Sequence, residues 1–400
     1  MRDKSKVLII IFIIIILAFL ICILVKNIYS VFDVKIEKKQ IIYYENSNPI
    51  DIKKIVDENT KINKSEKIVV QEIDLEYKTL YKENKDLPNG YFRVLQVGEN
   101  GKQAVVMKQI YQDNSLVGEV IVANNVVENS IEKIIEIGTG NGYLKKDIRV
   151  GDKVYVSANN LKLKKENDLQ SKNIELLEMY DTVEILEIQD NWYYVKKDNC
   201  NGFVLKEGIS TYNPNVKMEF DSEENITYSK NELLEKINFG MDLSIQSGLS
   251  LEQFEQIFEN QERDRNNILK ENAKYFYYAE EQYNINGVFL AAIAIHESAW
   301  GTSAIARNKN NLFGYAAYDR DPYNSASNFT NCAEGIDLVA RMLMKNYLNS
   351  AGTQLADGSI ATGKYYNGKT VSDVNKRYAT DKNWANCVYR WMETLYNSVP

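Results

Sequence analysis

Glu297 is the residue best placed to do chemistry in this chain. It stands in His296-Glu297-Ser298-Ala299-Trp300-Gly301, just after the apolar run 288–295, and Asn310-Asn311-Leu312-Phe313-Gly314 follows closely. The run is apolar on every side and reads as a buried helix that Gly301 can close. A carboxylate at its C-terminal end meets low-dielectric surroundings and the negative end of the helix dipole, and both should raise its pKa. A general acid that donates a proton near neutral pH needs such a setting. A helix-end glutamate held in a structural ion pair fits the same pattern equally well. His296 is the only histidine, so no zinc site can be assembled from paired imidazoles, and it reads as a supporting residue. Nothing in the sequence calls for a metal or a cofactor.

The chain has 400 residues, 44% of them hydrophobic, and a net charge of −7. That length suggests about two to four domains with real cores. The acidic balance argues against nucleic acid as a partner, which would require a concentrated basic face. Residues 7–25 are unbroken apolar sequence, long enough to span a bilayer as a helix. No small-residue cleavage site follows, so residues 1–26 read as an uncleaved signal anchor. Lysines flank both sides of the span and leave its orientation undecided. The short stub before a large remainder favours a single-pass membrane protein with the remainder outside. Cys200, Cys332 and Cys387 are too few for a disulfide framework. Cys332 and Cys387 are near enough in sequence to pair within one domain.

Residues 27–66 are charged and poorly patterned, as in a stalk. Alternating apolar residues then recur between turn signals at Pro88-Asn89-Gly90, Gly98-Glu99-Asn100-Gly101 and Val117-Gly118, which predicts an all-β module over 67–139. Its ending, Glu136-Ile137-Gly138-Thr139, and the glycines at 90, 101, 118 and 138 resemble the extracellular G-five domain. That resemblance implies adhesion or spacing, not catalysis. A second β module over 150–208 ends in Trp192-Tyr193-Tyr194-Val195 and Gly202-Phe203-Val204, and it is similar to bacterial SH3-like barrels. It lacks the Arg-Ser-Gly-Pro pattern that many of these carry, and Trp192 reads as a core aromatic. Residues 209–240 read as a polar linker. From the capping-box spacing Ser250-Leu251-Glu252-Gln253 onward the pattern is helical, with a Gly-rich loop over 351–370. The expected fold is therefore multidomain: a transmembrane helix, two small all-β modules and a mainly α domain over 241–400.

That last domain carries three strings in order: residues 289–303 around Glu297, residues 306–314, and Arg377-Tyr378-Ala379-Thr380-Asp381. Together they resemble the glucosaminidase family of peptidoglycan hydrolases (glycoside hydrolase family 73), on an α-helical lysozyme-like fold. The resemblance puts the catalytic glutamate at Glu297 and an active-site tyrosine at Tyr378. It implies cleavage of the β-1,4 bond between N-acetylglucosamine and N-acetylmuramic acid in the glycan strands of peptidoglycan.

Ordinary glycosidases need a second carboxylate, about 5–5.5 Å away for retention or about 6.5–9.5 Å for inversion. Asp319, Asp321, Glu334 and Asp381 are the candidates, although Asp319 and Asp321 fit turn or capping roles better. Alternatively the substrate's own acetamido oxygen attacks the anomeric carbon, with Tyr378 orienting it. Trp300, Phe313 and Tyr315 could stack on sugar rings or pack in the core. Asn310 and Asn311 are expected to organise the loop below the cleft and to present backbone groups to the glycan. Two other functions fit the same features: a muramidase or lytic transglycosylase, and a non-catalytic wall-binding protein.

Overall fold

The computed structural model describes residues 64–142, 147–216, 227–316, 323 and 326–400. The expected span at 7–25, most of the stalk, Asp319 and Asp321 lie outside these residues. Among the described residues no helix is long and apolar enough to cross a membrane. Residues 66–110 and 116–400 form one compact unit. Lys64, Ser65 and residues 111–115 fall outside it.

The first alternating region forms β1 (Lys64–Leu75), β2 (Thr79–Pro88), β3 (Phe92–Gln96), β4 (Gly101–Gln112), β5 (Ser115–Glu128) and β6 (Lys133–Gly140). They make two three-stranded sheets, ordered β1-β4-β5 and β2-β6-β3. β6 runs parallel to β2 and antiparallel to β3, pairing Ile135 with Tyr81 on one side and Val94 on the other. Ile135 and Ile137 are fully buried there. At Gly138 an added Cβ would sit 1.8 Å from the Pro88 carbonyl oxygen, so the strand passes only because that position has no side chain. Asp113 and Asn114, both at positive φ, close the β4–β5 hairpin.

The second β region contributes β7 (Lys153–Val156), β8 (Lys162–Lys164), β9 (Asn173–Leu176), β10 (Thr182–Ile188), β11 (Trp192–Lys197), β12 (Cys200–Leu205) and β13 (Ile209–Ser210). They form one sheet, β13-β7-β10-β11-β12-β8-β9. Trp192 is buried in its core with Val183, Ile185, Val195 and Val204. Strand β13 pairs with β7, so the expected linker at 209–240 begins inside a sheet. It also contains α1 (Lys230–Lys236), which a Ser229–Glu232 capping box starts and the buried Leu233 anchors. Polar composition had hidden both elements.

The remainder is helical: α2 (Leu251–Glu259), α3 (Ile268–Tyr283), α4 (Gly287–Ser298), α5 (Ala304–Lys309), α6 (Cys332–Asn346), α7 (Val371–Tyr378) and α8 (Trp384–Asn397). The predicted Ser250–Gln253 capping box opens α2. Helix α4 is the core helix, buried from Gly287 to Ile295 and packed against α3 and α8. Cys200, Cys332 and Cys387 are all free thiols.

The β regions pack on the helices through buried polar groups. Asp337 of α6 is fully buried. It accepts from Thr79 Oγ1 at 2.6 Å, Tyr283 Oη at 2.8 Å and Arg341 Nε at 3.1 Å. Lys133 of β6, equally buried, pairs with Glu207 at 2.7 Å and lies 5.0 Å from the Tyr283 ring centroid. All three regions meet at that ammonium group.

Candidate active site

Helix α4 delivers Glu297 to the surface. Its middle is too apolar to face water anywhere, and Asn286 caps its start by accepting from Phe289 N at 2.8 Å. The strain begins where the helix ends, because Ala299, Trp300 and Gly301 all have positive φ, at 50°, 60° and 69°. For the two non-glycine residues that conformation costs on the order of 1–3 kcal/mol each and must be held by its surroundings. Ser298 supplies part of the hold: its Oγ accepts from Gly301 N at 2.7 Å and donates to the Ala294 carbonyl at 2.5 Å. The chain therefore turns away immediately after the carboxylate.

Glu297 is exposed, which corrects the expectation of a carboxyl enclosed in apolar surroundings. Only the helix before it is dry. One of its oxygens, Oε1, accepts the indole N–H of Trp384 at 2.8 Å. Trp384 is itself buried at 2% exposure, and its ring packs against that of Tyr378, tilted by 35° with centroids 4.8 Å apart. Tyr378 ends α7 and also meets Tyr347 at 5.6 Å. Burial pushes its phenol well above the usual value, and the nearby charge of Glu297 adds to that push. The hydroxyl thus stays protonated and able to donate. His296 meets the edge of Trp384 at 6.4 Å. Trp384 consequently touches the carboxylate, the tyrosine and the histidine at once.

Sequence reasoning missed Trp384 as a site residue, because its place on one face of α8 accounts for it as packing. The available signal was chemical and weak: a buried tryptophan N–H usually finds an acceptor, although those of Trp192 and Trp300 find none here.

Other expected site residues separate into groups. Trp300 and Phe313 are each 5% exposed, so they are core residues and not platforms for sugar rings. Trp300 meets Trp391 edge-on at 5.5 Å. Tyr315 is half-buried, 6.4 Å from Phe329. Asn311 is buried and ties its own loop together, accepting from Phe313 N and Tyr315 N and donating to the Tyr315 and Ser327 carbonyls. Asn310 donates to the carbonyls of Phe329 and Thr330. Glu334 is not available as a second carboxylate. It is buried at the start of α6, accepts from Thr330 N at 2.8 Å and faces Lys78 at 3.6 Å. Asp381 makes a turn before α8, accepting from Asn383 N at 2.8 Å.

Residues 273–397, which include Glu297, Tyr378 and Trp384, match the family model described as mannosyl-glycoprotein endo-beta-N-acetylglucosaminidase. Residues 48–140 match the G5 domain model. A putative endo-beta-N-acetylglucosaminidase of Streptococcus pneumoniae is 34% identical over 143 residues, covering 36% of this chain and 20% of that protein. A bifunctional autolysin of Staphylococcus aureus is 25% identical over 149 residues, covering 33% and 12%. The matched stretch thus spans a fifth or less of these relatives. Among solved structures, S. aureus autolysin E in complex with the muropeptide NAM-L-Ala-D-iGlu matches with a TM-score of 0.30 and 19% identity, covering 44% of this chain and 82% of that one. The glucosaminidase match thus falls on the helical region that carries Glu297, and the G5 match on the first β region ahead of it.

Proposed function

We propose that the protein is a peptidoglycan hydrolase, an endo-beta-N-acetylglucosaminidase that cuts the β-1,4 bond between N-acetylglucosamine and N-acetylmuramic acid. The observation that carries this reading is Glu297, exposed at the end of a dry helix, hydrogen-bonded by Trp384 and neighboured by a protonated Tyr378. Its support from likeness is the glucosaminidase match across these residues.

Glu297 donates its proton to the leaving glycosidic oxygen as the C1–O bond breaks. The acetamido oxygen of the bound N-acetylglucosamine attacks C1, and Tyr378 donates a hydrogen bond that orients this group. Water then opens the cyclic intermediate, returning a proton to Glu297. Substrate assistance is the preferred route: Glu334 is held at the start of α6, Asp381 takes part in the turn before α8, and Asp319 and Asp321 fit turn or capping roles better than a nucleophile's. Residues 7–25 anchor the protein in the membrane with the catalytic domain on the wall side, and residues 150–208 are an SH3-like module.

Glu297→Gln keeps the hydrogen-bond geometry but cannot donate the proton. Lysis of wall material in a gel overlay should fall by at least a hundredfold, with the unfolding temperature unchanged. Mass spectrometry of borohydride-reduced wild-type digests should find reducing-end N-acetylglucosamine. Anhydro or reducing-end muramic acid would instead assign the protein to the transglycosylases or muramidases.

A further inference from the structure

Two residues beyond Glu297, an open depression of about 510 Å³ is lined by Arg263, Arg265, Asn266, Trp300, Thr302 and Arg307. The arginines come from separate segments, two between α2 and α3 and one from α5. All three are exposed, and among the described residues none is ion-paired. Arg93 and Arg341, by contrast, are paired with Glu136 and Glu76 at 2.7 and 2.9 Å. Asp264 sits between two of the arginines in sequence, yet it is buried and accepts from Lys270 N at 2.8 Å. The guanidinium of Arg263 is held 5.1 Å above the ring centre of Trp391, which in turn meets Trp300. Ala299 and Trp300 of the strained turn form part of the same wall.

Three like charges around one hollow repel one another in the absence of an anion. Guanidinium groups bind carboxylates and phosphates through paired N–H donors, which point charges on flexible stems cannot reproduce. We propose that this depression is an oxyanion site for negatively charged groups that the wall polymer carries outside the scissile bond. Carboxylates of wall peptides and phosphodiesters of attached polymers share that chemistry. The assignment rests on the hydrolase reading and deepens it. The site would hold a charged segment of the polymer while Glu297 works on an adjoining sugar.

The test uses the full chain carrying Glu297→Gln, so that binding is read without digestion. Co-sedimentation with purified walls is measured at increasing salt, before and after acid removal of phosphodiester polymers. Arg265→Glu with Arg307→Glu should weaken binding more than tenfold and flatten its salt dependence, while the unfolding temperature stays constant. The single exchange Arg307→Gln should give a smaller loss of the same kind, and it serves if the double variant is unstable. A loss that disappears on stripped walls identifies phosphodiesters, and one that persists identifies peptide carboxylates. Unchanged affinity and salt dependence on both wall preparations would overturn the site. Hydrolysis by the chain with Glu297 intact, assayed on intact walls as release of reducing-end N-acetylglucosamine, separates the two readings. Failure there sinks the hydrolase assignment, whereas success with unaltered wall binding sinks only the arginine site.

Discussion

Trp384 and Glu297 are 87 residues apart in sequence, and their bond shows where reading the chain residue by residue stops. The glutamate stood out because a lone carboxylate ends an unbroken apolar helix inside strings that resemble the glucosaminidase family, although an ion-paired helix end would fit the helix pattern equally well. Its partner was not, since a tryptophan on the inner face of an amphipathic helix already has one. Likewise Trp300 and Phe313 gave no sign of which face they would present, and both turned inward. Trp384→Phe keeps the stacking on Tyr378 and removes only the donor to Glu297. A hydrogen bond to a charged group contributes about 1.5–3 kcal/mol, so turnover should fall about ten- to a hundredfold with little change in stability. Full turnover in this variant, measured as release of reducing ends, would show the bond to be dispensable.

Among the elements, α4 is the one whose anchoring carries a pH signature. Glu280 of α3 is buried beside its first turn, accepting from Gly287 N at 2.5 Å and from Ser247 N and Oγ at 2.9 Å. Burial outweighs these donors and pushes the carboxyl up to about 8. A carboxyl raised above its unfolded value of about 4.5 favours the fold fully below that pH, and the contribution is lost as pH rises through about 8. Urea midpoints should therefore decline between these values in wild type, and Glu280→Gln should flatten the decline. An identical slope in both proteins would show that Glu280 ionises as readily folded as unfolded. The long helices and the capping box at Ser250 were legible from periodicity. The short α1, α5 and α7 were not, because each spans at most eight residues and owes its stability to tertiary packing.

For the whole molecule, sequence indicated the order of the modules but not their union. The β regions read as spacers, yet Asp337 and Lys133 draw their partners from across the helical and β parts. Such pairings are invisible to local patterning, since each side chain alone looks like an ordinary surface charge. Removing one member of a buried charged network costs about 3–5 kcal/mol. Asp337→Ala should lower the urea midpoint accordingly and should loosen strand β2 in hydrogen exchange along with α6. Exchange confined to α6 would mean that the two regions are not energetically joined.

The junction at Lys133 also bears on descent. Strand β6 supplies the ammonium, the segment after β12 its carboxylate, and α3 the aromatic ring beside it. A lineage that swapped either β module for an unrelated copy would leave an unmatched charge inside the protein, and one that replaced the helical region would strip the ring from beside the pair. Recombination within such genes should therefore move the three together, so that residues 133, 207 and 283 change in concert among descendants while the outer strands diverge freely.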